Sequence, residues 1–175
     1  MTRADPGAVA DPDNWTGGFY ELFLETGEAA LPALWRATGA ERVSEESGHV
    51  RGTVHLPLGG PVVCGSYAGI GGDGPDYVEF YLPLGALSQL DRRIGGFPFG
   101  PGGGATSLSW RAALDTWLAG VAEEVFREVG FTLGVIGFEL DAVTAADLGG
   151  VVPDARWEGY LLPVDGDLKY WPANR

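Results

Sequence analysis

The chain has 175 residues, 45% of them hydrophobic and 20% charged, which fits one ordinary globular domain with a real core. Its net charge is −13, from 24 acidic and 11 basic residues. That charge disfavours nucleic acid and anionic membranes, both of which need a basic surface, and favours a cationic partner. One cysteine, Cys64, excludes an internal disulfide and points to a reducing cytoplasm. No apolar run approaches the roughly 18 residues of a membrane span.

Residues 1–14 are rich in Ala, Asp, Gly and Pro and read as a mobile lead, leaving 15–175 as a single domain. Phe19 to Glu25 alternates. Tyr20, Leu22 and Leu24 form an apolar face, and Phe19, Glu21, Phe23 and Glu25 an aromatic-acidic one, the pattern of a half-buried strand. A short helix over 31–38 closes at Gly39, with Pro32 in its first turn. Residues 42–48 read as a polar loop. His49 to Leu56 alternates again, Gly59 and Gly60 turn the chain, and 62–68 completes a hairpin. Residues 77–82 form the next strand, with Tyr77, Glu79 and Tyr81 on its polar face. One or two helical turns follow at 86–93. Residues 95–104, with six glycines, form a surface loop.

The organising stretch is 109–140. Trp110, Leu114, Trp117, Leu118, Val121, Val125 and Val129 lie on one helical stripe, with Arg111, Asp115, Glu123, Arg127 and Glu128 opposite. Ser107 or Ser109 caps its start and Gly130 its end. Gly120 costs about 1 kcal/mol relative to Ala inside a helix, which implies close backbone packing there. From Phe131 to Leu140 both faces are apolar, so this strand is interior, with Glu139 as a strand-end carboxylate. Thr144 and Asp147 form a capping pattern. Residues 157–164 are a last clear strand, and 169–171 add an edge.

These elements predict an α+β fold: a single, mostly antiparallel sheet with helices packed on one face. The segment Tyr20-Glu-Leu-Phe-Leu24 echoes Val78-Glu-Phe-Tyr-Leu82, and a helical stretch follows each, hinting at a duplicated β-α-β-β unit.

No motif carries catalysis. Gly69-Ile-Gly-Gly-Asp-Gly74 matches a dinucleotide-binding spacing, but Pro75 and a strand follow where a helix N-terminus is required. It reads as a strand connection. Cys64 reads as a buried core residue, and His49 and His55 lack paired metal-ligand spacing, so neither cofactor nor metal is expected. Glu21, Phe23, Arg51, His55, Glu79 and Tyr81 share the polar faces of adjacent-looking strands, and form the candidate binding face. Aromatic rings offer contact area there, and carboxylates select a cation.

Trp15-Thr-Gly-Gly-Phe-Tyr-Glu-Leu22, residues 77–87 with Leu-Pro-Leu-Gly-Ala-Leu, and 131–139 resemble a family of small, acidic, uncharacterised actinobacterial proteins, some of them similar to immunity proteins of polymorphic toxin systems. The resemblance implies a non-catalytic cytoplasmic binder. An immunity-type inhibitor would occlude a basic protein partner by acidic complementarity. A looser resemblance is to duplicated effector-binding domains, which hold cationic drugs with a carboxylate among aromatics; Trp157-Glu-Gly-Tyr-Leu-Leu-Pro-Val164 is similar to their closing strand. That implies the alternative, a binder of a cationic or aromatic small molecule.

Overall fold

The computed structural model describes residues 4–94, 104–141 and 143–175. Eight strands among them form one antiparallel sheet: β1 (Phe19–Leu24), β2 (Glu41–Glu46), β3 (His49–Leu56), β4 (Gly60–Gly69), β5 (Tyr77–Pro83), β6 (Gly134–Phe138), β7 (Gly159–Val164) and β8 (Asp167–Trp171). Their order is β2-β3-β4-β5-β1-β6-β7-β8. The fold is α+β, as the sequence pattern predicts. The helices are α1 (Pro6–Ala10), α2 (Leu31–Thr38), α3 (Leu84–Leu90), α4 (Gly104–Val129) and α5 (Ala145–Leu148).

The helices α2 and α4 cover one face of the sheet. Tyr20, Leu22 and Leu24 of β1 are fully buried there, with Val78, Phe80 and Leu82 of β5 and Ile136 of β6. The stripe Trp110, Leu114, Leu118, Val121 and Val125 of α4 closes this core, with the Trp117 ring edge-on to Phe80. Val129, expected on the stripe, is exposed as the helix ends. Its C-terminal stop is as expected: Gly130 is left-handed, and its N–H bonds the Phe126 carbonyl.

Not all helices share that face. A second, smaller core on the opposite face joins Leu133, Val135, Tyr160 and Leu162 to Phe23, Leu140 and Trp171, under Leu148 of α5. At the other end of the sheet, α1 packs against β3, burying Val9. The expected loose lead is therefore ordered from Asp5 onward, where the Asp5 side chain caps α1 through the N–H groups of Gly7 and Ala8. Covers at both ends leave the middle of this face, over β1, β5, β4 and β3, to its own side chains.

Other expectations need correction. Residues 42–48 are no simple loop: Glu41–Glu46 is the edge strand β2, paired with β3 through a register shift between Arg42 and Ser44. Its polar sequence reflects edge exposure, where charge discourages pairing with other chains. The helix α4 starts at Gly104, so Ser107 and Ser109 lie inside it rather than capping it. The glycine-rich 95–104 stretch otherwise falls outside the described residues. Gly120 is exposed and nothing would crowd a Cβ there, so no close packing explains it.

Arg111 and Asp115 are the largest departure. Expected on the wet face of α4, they are 4% and 3% exposed. They flank the Leu114–Leu118 stripe one turn apart, where the Tyr20 ring ends. The Tyr20 hydroxyl donates to the Asp115 carboxylate, Arg111 Nε donates to the Tyr20 oxygen at 3.0 Å, and Arg111 also donates to the Trp157 carbonyl. Arg111 and Asp115 are 3.9 Å apart. Burial pushes Asp115 up to about 6.

The two halves of the chain share the order strand, helix, strands. The run β2-β3-β4 proceeds from the sheet edge inward, and β6-β7-β8 from the centre outward. What the echoed segments share is their pairing: β1 and β5 are antiparallel neighbours, with Glu21 opposite Tyr81 and Phe23 opposite Glu79.

Removing one member of a buried ion pair strands the other in low dielectric. Arg111→Met should lower unfolding free energy by about 3–5 kcal/mol, and adding Asp115→Leu should recover much of the loss, both read from urea denaturation. Gly120→Ala should raise stability by roughly 0.5–1 kcal/mol in the same assay, since an open helical site gains only the lower unfolded-chain entropy.

Candidate functional site

The middle of the second face is built from two rows of side chains running across the strands. One row is Gly137, Glu21, Tyr81, Gly65 and Arg51, from β6 to β3. The next is Val135, Phe23, Glu79, Tyr67 and His49. Glu21 and Glu79 are therefore diagonal neighbours on β1 and β5, a spacing from which carboxyl groups reach one another.

Glycines on β4 shape this floor. A Cβ at Gly65 would collide with the Tyr81 ring, and one at Gly69 with the Tyr77 ring. Each tyrosine folds flat over the glycine beside it, which brings the rings together. The Tyr67 and Tyr77 centroids are 5.9 Å apart, Phe23 and Tyr77 5.1 Å, and Phe19 and Tyr81 5.0 Å. His49 tilts over Tyr67 at 4.8 Å, and its Nδ1 is 3.0 Å from the Tyr81 hydroxyl. The Arg51 guanidinium lies 4.5 Å over the Trp15 ring.

The carboxyls are unevenly held. Glu21 is 8% exposed, and its Oε2 accepts the Leu140 N–H at 2.7 Å. Glu79 is half-buried and accepts from the Tyr67 hydroxyl at 3.0 Å. Burial first, and then the Glu79 charge, hold Glu21 up at about 8, against an ordinary glutamate value of 4.5. Burial raises Glu79 as well, opposed by the bond from the Tyr67 hydroxyl. Burial and the neighbouring Glu79 drive the Tyr67 hydroxyl upward.

Of the residues expected on the binding face, the fold brings together Glu21, Phe23, Glu79 and Tyr81, with Arg51 at the rim. His55 stands apart. It lies four residues beyond Arg51 on β3, about 13 Å along the strand. There it lines a separate cavity with Glu41, Thr53, Pro61 and Gln89, under the N-terminal segment. Tyr67, Tyr77, His49, Phe19 and Trp15 belong to the cluster and were missed as site residues. Tyr77 carried a usable signal, its place on the same strand face as Glu79 and Tyr81. For Tyr67 the signal was the Gly65-Ser-Tyr67-Ala-Gly69 spacing, which leaves room on either side of that ring.

Cys64 faces the other way. It is fully buried in the core beneath α2 and α4, opposite Gly52, and burial pushes its thiol up. His49 and His55 lie on the opposite face, so no thiol–imidazole pair forms. Among the described residues no group of three or more His, Cys, Asp or Glu is placed to hold a metal. Glu139, past the end of β6, is exposed with φ of 41°. The 69–74 glycine stretch is the connection from β4 to β5.

What remains is a closely packed acidic-aromatic surface able to receive a cation: ring faces to stack on, and carboxyl oxygens among them. No helix among the described residues is long and apolar enough to cross a membrane. Comparison with protein-family models, curated proteins and solved structures finds no match for this chain.

A carboxyl whose value is raised by folding binds protons on folding. Its stabilising contribution is full below the ordinary glutamate value and is lost as pH rises toward about 8. The urea midpoint of the wild-type protein should fall across that range. Glu21→Gln should flatten the upper part of the fall and leave the lower part, where Asp115 titrates near 6, in place.

Proposed function

We propose that this chain is a non-catalytic binding protein that receives a basic protein partner on its acidic-aromatic sheet face, in the manner of an immunity-type inhibitor. The observation that carries the reading is the adjacent pair Glu21 and Glu79 at the centre of an aromatic floor. Phe23, Tyr67, Tyr77 and Glu79 stay partly exposed there, while Glu21 and Tyr81 are buried beneath them. The net charge of −13 supplies the long-range attraction for a basic surface.

Two further features support a macromolecular partner. Ile70, at the start of the β4–β5 connection, is 88% exposed, and Val151, just past α5, is 71% exposed. Both are large apolar residues on loops, which a protein partner would bury. A single buried thiol is compatible with a reducing compartment, where such an inhibitor would act.

Acidic complementarity has a definite signature. The wild-type protein, used as bait in lysate of its source cells, should retain a basic protein in stoichiometric amount by native mass spectrometry, and release it as salt rises. Glu21→Gln with Glu79→Gln should weaken that complex by about 2 kcal/mol or more, on the order of 30-fold. A complex indifferent to both salt and the double variant would refute the reading. The aromatic floor also favours a second reading, a cationic small molecule; a retained ligand of low mass with no protein would select it.

A further inference from the structure

Two arginines drawn into this fold are satisfied by it. Arg111 pairs with Asp115, and the Arg156 guanidinium donates to the carbonyls of Pro153, Asp154 and Pro172. Arg51 is also partly buried, yet it has neither kind of partner. No carboxylate of the described residues forms an ion pair with it, and its Nε is shielded from solvent without a hydrogen-bond partner. A shielded donor left unsatisfied is costly, and more so on a charged group. The guanidinium rests 4.5 Å from the centroid of the Trp15 ring. Tyr81 beside it is kept protonated by burial, and its hydroxyl contacts His49 Nδ1 at 3.0 Å, so it supplies no counter-charge.

Arg51 lines a cleft of about 470 Å³ between the N-terminal segment and β2. Pro6, Pro12 and Trp15 belong to one wall, Val43 and Ser44 to the other. Both walls are held in place. Trp15 Nε1 donates to the Val9 carbonyl at 2.9 Å, which fixes the ring. The register shift between Arg42 and Ser44 takes Val43 out of the ladder and sets Ser44 opposite Arg51. The acids of the N-terminal segment are engaged elsewhere: Asp5 and Asp11 cap their own turns through backbone N–H groups. Glu46, on the lip of the cleft, is exposed.

We propose that this cleft is a binding site for a small monocarboxylic acid with an apolar body, its carboxylate on the terminal nitrogens of Arg51 and its body against Trp15, Val43 and the prolines. The guanidinium selects the carboxylate, which matches its planar fork of donors. The surrounding charge selects against heavier anions. A net charge of −13 repels a ligand in proportion to the ligand's own charge, so a phosphate ester or a dicarboxylate is disfavoured. The apolar walls then separate an acid with a hydrocarbon body from acetate. This site stands apart from the Glu21–Glu79 pair, and its failure would leave the docking face as it is.

The probe is phenylacetate, titrated into the full chain and followed by the Trp15 indole and Arg51 Nε–H signals in proton–nitrogen NMR. Neutral phenylacetamide and apolar-poor acetate are the controls. Phenylacetate should move both signals, with a dissociation constant on the order of 1 mM, and bind about tenfold more tightly than either control. Arg51→Gln should abolish the preference over phenylacetamide. Val43→Ser, which keeps the guanidinium, should narrow the preference over acetate alone. Glu21→Gln with Glu79→Gln should not weaken phenylacetate at all. An equal response to acetate would mean an adventitious ion only, and would overturn the site. An equal response to phenylacetamide, or shifts that spare Trp15 and Arg51, would overturn it as well.

Discussion

The register between β1 and β5 is the constraint on which the rest depends. β1 is paired on both sides, and its alternate residues meet two different environments: Tyr20, Leu22 and Leu24 under α4, and Glu21 and Phe23 on the opposite face. A slip of one residue would carry the glutamate into the apolar core and the leucines out of it. The burial of the three apolar side chains holds the register, and the register holds Glu21 diagonal to Glu79. The acidic-aromatic face is thus positioned by the core behind it.

Neighbouring residues of β1 anchor two polar clusters of opposite character. Tyr20 reaches into the network of Asp115 and Arg111, which is closed over by α4 and the segment leading to β7. Charge there is paired within the chain, at positions almost without solvent, and the cluster ties the long helix to the central strand. Glu21 reaches the other way, to a carboxyl of the same sign. The Leu140 N–H bonds Glu21, and the Tyr67 hydroxyl bonds Glu79. The first cluster fits a structural joint.

The covering elements set the bounds of that face. The helix α5 seals the β6–β8 end with its own small core, and α1 with the Trp15 segment seals the β3 end. Between them, glycines at 65 and 69 let Tyr81 and Tyr77 lie against β4, so the middle strands present ring faces beside carboxyl oxygens.

Much of this was legible in order along the chain. Period-two alternation located β1, β3 and β5 and assigned Glu21, Glu79 and Tyr81 to polar faces; period 3.6 located α4 and most of its buried stripe; glycine placed the stops at 39 and 130, and Thr144 with Asp147 form the expected capping box. These are local signals, set by how a backbone of fixed geometry presents successive side chains. Three things were not local. Arg111 and Asp115 read as a wet face because their burial is decided by where Tyr20 and Trp157 arrive from distant parts of the chain. Residues 42–48 read as a loop because an edge strand needs no apolar face of its own. The echo of the β1 and β5 segments was visible, but only their antiparallel pairing turned it into a carboxyl pair. Alternation tells which residues share a face of one strand, whereas which strands become neighbours depends on how the whole sheet buries its core.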